Sequence, residues 1–181
     1  MKIGQKKQAL PAAGQHVVHV GSGTGYYTAI LAHLVGPSGR VTGIEYDEGL
    51  AARAKANLAP YANVAVIEGD GTQVPFDAAD VIYVNAGCTA PPPSWLDRLA
   101  DGGRLILPMT SDRGFGGTSP TQMASAGAVF RIERRGADYL ARWISRAIYP
   151  LIWLGIAAAI SHVRPIWHLL RRSEEHTSEL Q

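Results

Sequence analysis

Residues 16–36 read HVVHVGSGTGYYTAILAHLVG, and this stretch decides the fold. His16 to Val20 is short and β-branched, the composition of a buried strand. Gly21-Ser22-Gly23-Thr24-Gly25 follows at once. Tyr27, Ile30, Leu31, Leu34 and Val35 then recur at the spacing that lines one face of a helix. Gly36-Pro37 ends it, because glycine suits a helix C-cap and proline cannot continue the hydrogen-bond ladder. Strand, glycine turn and helix together open a βαβ unit.

Downstream the alternation continues. Arg40–Glu45 predicts a second strand, and Asp47 caps a second helix with Leu50, Ala54 and Leu58 on one face, stopped by Pro60. Val64–Glu68 and Asp80–Val84 predict strands three and four. Ser94 is expected to cap a short helix through Leu99, and Gly102-Gly103 to turn the chain into a fifth strand, Arg104–Pro108. Strands separated by helices imply a parallel sheet with right-handed crossovers. Past Thr110 the pattern changes. Thr110–Gly127, rich in Gly, Ser and Thr, reads as a mobile loop. Val129–Arg134 and Tyr139–Ile144 predict two strands joined at Arg135-Gly136. The expected fold class is α/β and Rossmann-like: a mostly parallel sheet flanked by helices, with an antiparallel edge hairpin near the C-terminal end. There is no internal repeat.

Composition narrows the function classes. The chain has 181 residues and a formal net charge of +2, too small to point to nucleic acid. Cys88 is the single cysteine, so no internal disulfide forms, which fits a reducing compartment. The six histidines show no metal spacing; His16 and His19 fall on opposite faces of one strand and cannot chelate from it. Met1–Gln8 is basic, but no apolar run follows, so no signal peptide is expected and the location is read as cytoplasmic. Ala147–Ile160 is uncharged and apolar, but Pro150 and Gly155 break it and it is shorter than the roughly 20 residues of a membrane span. No membrane partner is expected. Arg172–Gln181, RSEEHTSELQ, resembles the translation of a common sequencing-library adapter. The expected organisation is a poorly ordered stub over 1–14, a ligand-binding domain over 15–145, an apolar segment of uncertain structure over 146–171 and an adapter-derived tail over 172–181.

In an open parallel sheet, ligands bind at the carboxyl ends of the strands, near the switch in strand order. Three signals fall there. The first is the loop of Gly21, Ser22, Gly23 and Gly25, where glycine permits a tight turn and a close approach and the following helix offers its positive end. A dinucleotide fingerprint wants a third glycine at position 26, which is Tyr26. The tighter loop suits a methionine carboxylate and a nucleoside better than a pyrophosphate; a plain strand-to-helix turn is the competing reading. The second is Glu45, ending strand two, which can accept both ribose hydroxyls or simply be a solvated acid. The third is Asp70, beside Gly71, which can accept from an adenine amine or merely serve a turn between glycines. Asn85 and Ala86 end strand four, at the same edge of the sheet. Cys88 has no partner base near it in sequence and reads as a packed or loop cysteine. Trp95 and Trp143 read as packing groups.

These signals in this order resemble the class I S-adenosylmethionine-dependent methyltransferases and, among them, the protein-L-isoaspartate O-methyltransferase family. The resemblance runs from about Gln15 to Thr110 and is carried by VHVGSGTGYYTAIL, GIEYDEGLAARAKANL, EGDGT, VNAGCTAPP and LADGGRLILP. A tRNA adenine-N1 methyltransferase type shares the look of the first two blocks. It usually carries an aspartate-proline segment after strand four, where this chain has Asn85-Ala86-Gly87-Cys88-Thr89-Ala90-Pro91. The resemblance implies S-adenosylmethionine as cofactor, held by Gly21, Ser22, Gly23, Gly25, Glu45, Asp70, Gly71 and Asn85. It also implies a protein or peptide carboxylate as acceptor, and no metal. Two departures stand out. His19 occupies the place where the family usually has Glu or Asp, and a neutral imidazole cannot make the same charged contact. The fourteen residues before Gln15 do not look like the family's Ser/Thr-containing substrate-closing stretch, so no catalytic residue carries over. The same fold acting on another acceptor, such as tRNA adenine or a small molecule, and a truncated non-catalytic cofactor-binding fragment are the alternatives. A dinucleotide oxidoreductase is disfavoured by Tyr26 and Asp70.

Overall fold

Strand β1 (His16–Val20) is buried along its whole length, because both faces of the sheet are covered at its centre. The computed structural model describes residues 10–109 and 127–147, with backbone alone for 145–147. The chain divides into two units, Met1–Tyr149 and Pro150–Gln181, and every described residue lies in the first. After β1 come α1 (Tyr26–Val35), β2 (Arg40–Glu45), α2 (Glu48–Leu58), β3 (Val64–Glu68), β4 (Ala79–Val84), α3 (Pro93–Asp97), β5 (Leu99–Met109), β6 (Gly127–Arg135) and β7 (Asp138–Ala147). They form a seven-stranded sheet in the order β3-β2-β1-β4-β5-β6-β7. Strands β1 to β5 are parallel, and β6 and β7 run antiparallel at one edge. This is the expected Rossmann-like α/β arrangement with its edge hairpin.

Alternation along the strands builds a core on each face. Val18, Val20, Ile44, Ile82 and Val84 point to one face, where Trp95, Leu105 and Leu107 join them. Val17, Val41 and Val81 point to the other and meet Leu31, Ala32 and Val35 of α1. Asp47 caps α2 as expected, accepting from the Leu50 N–H at 2.8 Å.

Several boundaries differ from the sequence expectation. Helix α3 starts at Pro93 with Pro92 at the cap; proline suits a first turn, which has no use for its missing N–H. Ser94 therefore lies inside the helix, and its hydroxyl donates to the Thr72 carbonyl at 3.0 Å. Leu99 belongs to β5, not to the helix. Strand β5 pairs Ala79 with Leu99 and then shifts register before Val81 meets Arg104, so Gly102-Gly103 forms an irregularity inside the strand and not a turn before it. The hairpin is longer at both ends than predicted, its turn lies at Gly136-Ala137, and Gly127 is its first residue. Residues 10–14, expected as part of a stub, are tied to the domain. The Gly14 N–H donates to the Val35 carbonyl at 2.8 Å, and the Leu10 carbonyl accepts from Arg104. The remaining expected loop, 110–126, and the segments 1–9 and 148–181 lie outside the described residues.

Candidate functional site

Strand order reverses between β1 and β4, because β2 and β3 were laid on one side of β1 and β4 and β5 on the other. The loops leaving β1 and β4 therefore diverge and leave a crevice at the carboxyl ends. Backbone hydrogen bonds hold its walls. Gly21 and Ser22 donate to the Ile44 carbonyl at 2.9 and 3.1 Å, Gly69 donates to the Glu45 carbonyl at 2.8 Å, and Asn85 donates to the Val20 carbonyl at 2.9 Å.

Within the glycine loop, Gly25 and Gly23 have different reasons to lack a side chain. Gly25 is the N-cap of α1 at φ 93°, and a Cβ there would come within 2.7 Å of the Leu58 Cδ1. Gly23, at φ 55°, has nothing within 4 Å of where a Cβ would stand, so the crest of the loop is open. No side chain caps α1 from Gly25, which leaves its positive end to the loop. Ser22 is turned the other way. It is 4% exposed, and a Cβ on Gly43 would lie 3.4 Å from its hydroxyl. Its side chain packs between β2 and α1 and does not face the crevice.

Glu45 lies under the loop. One carboxylate oxygen accepts from the Gly23 N–H at 2.6 Å and the other from the Asp47 N–H at 3.1 Å. An ionised carboxylate offers about four acceptor sites, so about two remain for vicinal hydroxyls. Asp70 is exposed and sits in its own turn. Its Oδ1 accepts from the Thr72 N–H and the Thr72 hydroxyl, both at 2.8 Å, and these bonds hold its carboxyl below the usual range. Oδ2 takes no hydrogen bond among the described residues. Gly71 has no room for a side chain, since a Cβ would meet the Val20 Cγ1 at 2.5 Å.

Two residues at this site escaped the sequence reading. Tyr46, next to Glu45, is 80% exposed; its place directly after the strand-end acid was the available signal. Trp95 is a packing residue, as expected, but its indole N–H also donates to the Gly71 carbonyl at 2.7 Å. With Ser94 it latches α3 to the Asp70 loop.

His19 is wholly buried. Its Nδ1 is 2.8 Å from the Thr28 hydroxyl and its Nε2 is 3.0 Å from the Asn85 Nδ2. Burial pushes its pKa down to about 3, so the ring is neutral at physiological pH. Cys88 is half-buried and burial raises its thiol pKa, the opposite of what a nucleophile needs. Among the described residues there is no cluster of His, Cys, Asp and Glu that could hold a metal ion. Nor is any helix among them long and apolar enough to cross a membrane.

Of the eight residues expected at the site, Gly21, Gly23, Gly25 and Glu45 form one connected unit, with Asn85 against Gly21 and Gly71 against Val20. Asp70 stands on the next loop, and the Ser22 side chain is buried, its hydroxyl without a hydrogen-bond partner among the described residues. The fold and this disposition of loops are those of the Rossmann-like, S-adenosylmethionine-dependent methyltransferases. Residues 9–118 match the family model described as protein-L-isoaspartate(D-aspartate) O-methyltransferase, and the chain belongs to that family. Protein-L-isoaspartate O-methyltransferase 2 of Archaeoglobus fulgidus is 41% identical over 103 residues, covering 53% of this chain and 46% of that protein. The protein-L-isoaspartate O-methyltransferase of Anaeromyxobacter dehalogenans is 38% identical over 133 residues, covering 69% of this chain and 55% of that protein. A solved protein-L-isoaspartate O-methyltransferase superposes with a TM-score of 0.67 at 26% identity, over 79% of this chain and 43% of its own. The chain thus spans about half the length of these relatives.

Proposed function

We propose that this chain binds S-adenosylmethionine in the β1–β4 crevice and carries the donor-binding part of a methyltransferase that acts on protein or peptide carboxylates. Family membership supports the reaction. The observation that carries the donor site is the Glu45 carboxylate, clamped by the Gly23 and Asp47 amides with acceptor capacity left over, beneath an open glycine crest. The residues present fit the group. Glu45 holds the ribose hydroxyls and Asp70 Oδ2 the adenine amine. The open crest and the α1 end attract the carboxylate, Tyr46 lays its ring on the base, and Gly71 and Asn85 line the walls. Ser22 acts as a spacer, its side chain turned inward.

When bound, the donor supplies a methyl already activated by a positive sulfur. A carboxylate acceptor is ionised at neutral pH, so the chain needs no strong base. Its task is orientation in a site shielded from water, which is worth about 7–11 kcal/mol. A cysteine that needs no disulfide suits the cytoplasm, where we place the protein.

Calorimetric titration of the full chain with S-adenosylhomocysteine tests the donor site. Saturable binding, weakened about tenfold or more by Glu45→Gln, is expected, since a hydrogen bond to a charged group is worth about 1.5–3 kcal/mol. Absence of binding by a folded chain sinks the proposal. Methyl incorporation into an isoaspartyl peptide, and not into tRNA, then decides the acceptor.

A further inference from the structure

The donor-site residues above leave one charge of the donor's α-amino-acid group without a partner. Two acids serve the ribose and the adenine, and the glycine crest with the α1 end serves the carboxylate. The remaining group is the α-ammonium, which needs a hydrogen-bond acceptor between β1 and β4.

We propose that His19 is a positioning residue that turns the Asn85 amide so that its Oδ1 faces the crevice as the acceptor for that ammonium. This rests on the donor-site reading above. The geometry works by elimination. A neutral imidazole has one N–H and one acceptor nitrogen. Both His19 nitrogens are engaged, at 2.8 Å by the Thr28 hydroxyl and at 3.0 Å by the Asn85 Nδ2. An amide nitrogen only donates, so Nε2 must accept and Nδ1 must carry the proton, donated to Thr28. Since His19 is 0% exposed and Asn85 half-buried, the amide nitrogen is consumed in the core and the oxygen lies on its wetter side. Asn85 stands beside Gly21, where a Cβ would be 3.4 Å from the Asn85 backbone carbonyl carbon, so the end of β4 that carries the amide borders the glycine loop. A hydrophobic residue at 19 would fill the core as well but would leave the amide free to turn.

Two measurements on the full chain test this. Long-range ¹H–¹⁵N NMR of the imidazoles should show His19 as the Nδ1–H tautomer, and Asn85→Asp, which replaces the donor nitrogen with an oxygen, should switch it to Nε2–H. A parental Nε2–H tautomer, or no switch in Asn85→Asp, overturns the proposal. Binding supplies the second test. His19→Leu should weaken S-adenosylhomocysteine about tenfold, the loss expected of one hydrogen bond to a charged group. It should change 5′-methylthioadenosine, which lacks the amino-acid part, by less than about twofold. Equal losses for both ligands would mean a purely structural role and overturn it. If His19→Leu does not fold, Asn85→Ala, at a half-buried position, should show the same selective loss, and equal losses there overturn the proposal as well. Failure of the parent to bind either ligand would refute the donor-site reading itself, while the tautomer experiment would still report on the His19–Asn85 geometry.

Discussion

Burial at His19 sets a proton count as well as a geometry. Its folded pKa of about 3 lies below the ordinary 6.5, so between those values the unfolded chain binds a proton that the native chain refuses. Stability from this residue is fully present above pH 6.5 and is lost as the pH falls toward 3. The slope approaches about 1.4 kcal/mol per pH unit. His19→Gln should flatten the pH dependence of urea unfolding between pH 4.5 and 7 relative to the parent. His16, also lowered by burial, contributes with the same sign in both proteins and does not obscure the difference. Asp70 works in the same direction at lower pH: the Thr72 bonds lower its pKa, so its contribution disappears as the pH falls below the carboxylate range. Among single residues, Glu45 and Asp70 were legible from the sequence because each is an acid at a strand end. The His19–Asn85 contact was not, since 66 positions separate the two and only the β1–β4 pairing brings them together.

Turns and helix ends make their own predictions at the scale of elements. Gly25 is both left-handed and crowded by Leu58, so Gly25→Ala should cost about 1–3 kcal/mol in urea unfolding. It should also disturb the loop that carries Gly23. Trp95→Phe keeps most of the packing but removes the donor to the Gly71 carbonyl. A loss of about 1 kcal/mol or more is expected, with weaker S-adenosylhomocysteine binding through a loosened Asp70 loop. Calorimetry and unfolding on the same variant separate the two effects. Element boundaries were the least legible feature. Ser94 looked like a cap, but the preceding prolines suit the first turn better and freed its hydroxyl for Thr72. Gly102-Gly103 looked like a turn because two glycines usually punctuate. Pairing with β4 at Leu99 before them and at Arg104 after them keeps the strand running across the irregularity.

For the molecule as a whole, donor binding and folding are linked. A ligand that binds only the native state stabilises it by about 2.7 kcal/mol at a concentration a hundredfold above its Kd. S-adenosylhomocysteine should therefore raise the unfolding midpoint. The added hydrogen-exchange protection should concentrate in the loops after β1, β2, β3 and β4. Protection spread evenly, or confined to the β6–β7 hairpin, would argue against the crevice as the site. The alternating strand and helix pattern, the glycine loop and the two acids were written in local periodicity and spacing, so the sequence by itself determined the α/β class, the edge hairpin, the family resemblance and most of the candidate site. Strand order was decided only by the tertiary structure, because parallel pairing joins segments distant in the chain. With it came the turning of Ser22 away from the crevice, the latch from Trp95 to Gly71 and the neutral His19 beneath Asn85. Each of these depends on which side chains lie buried against one another, and burial is a property of the assembled sheet.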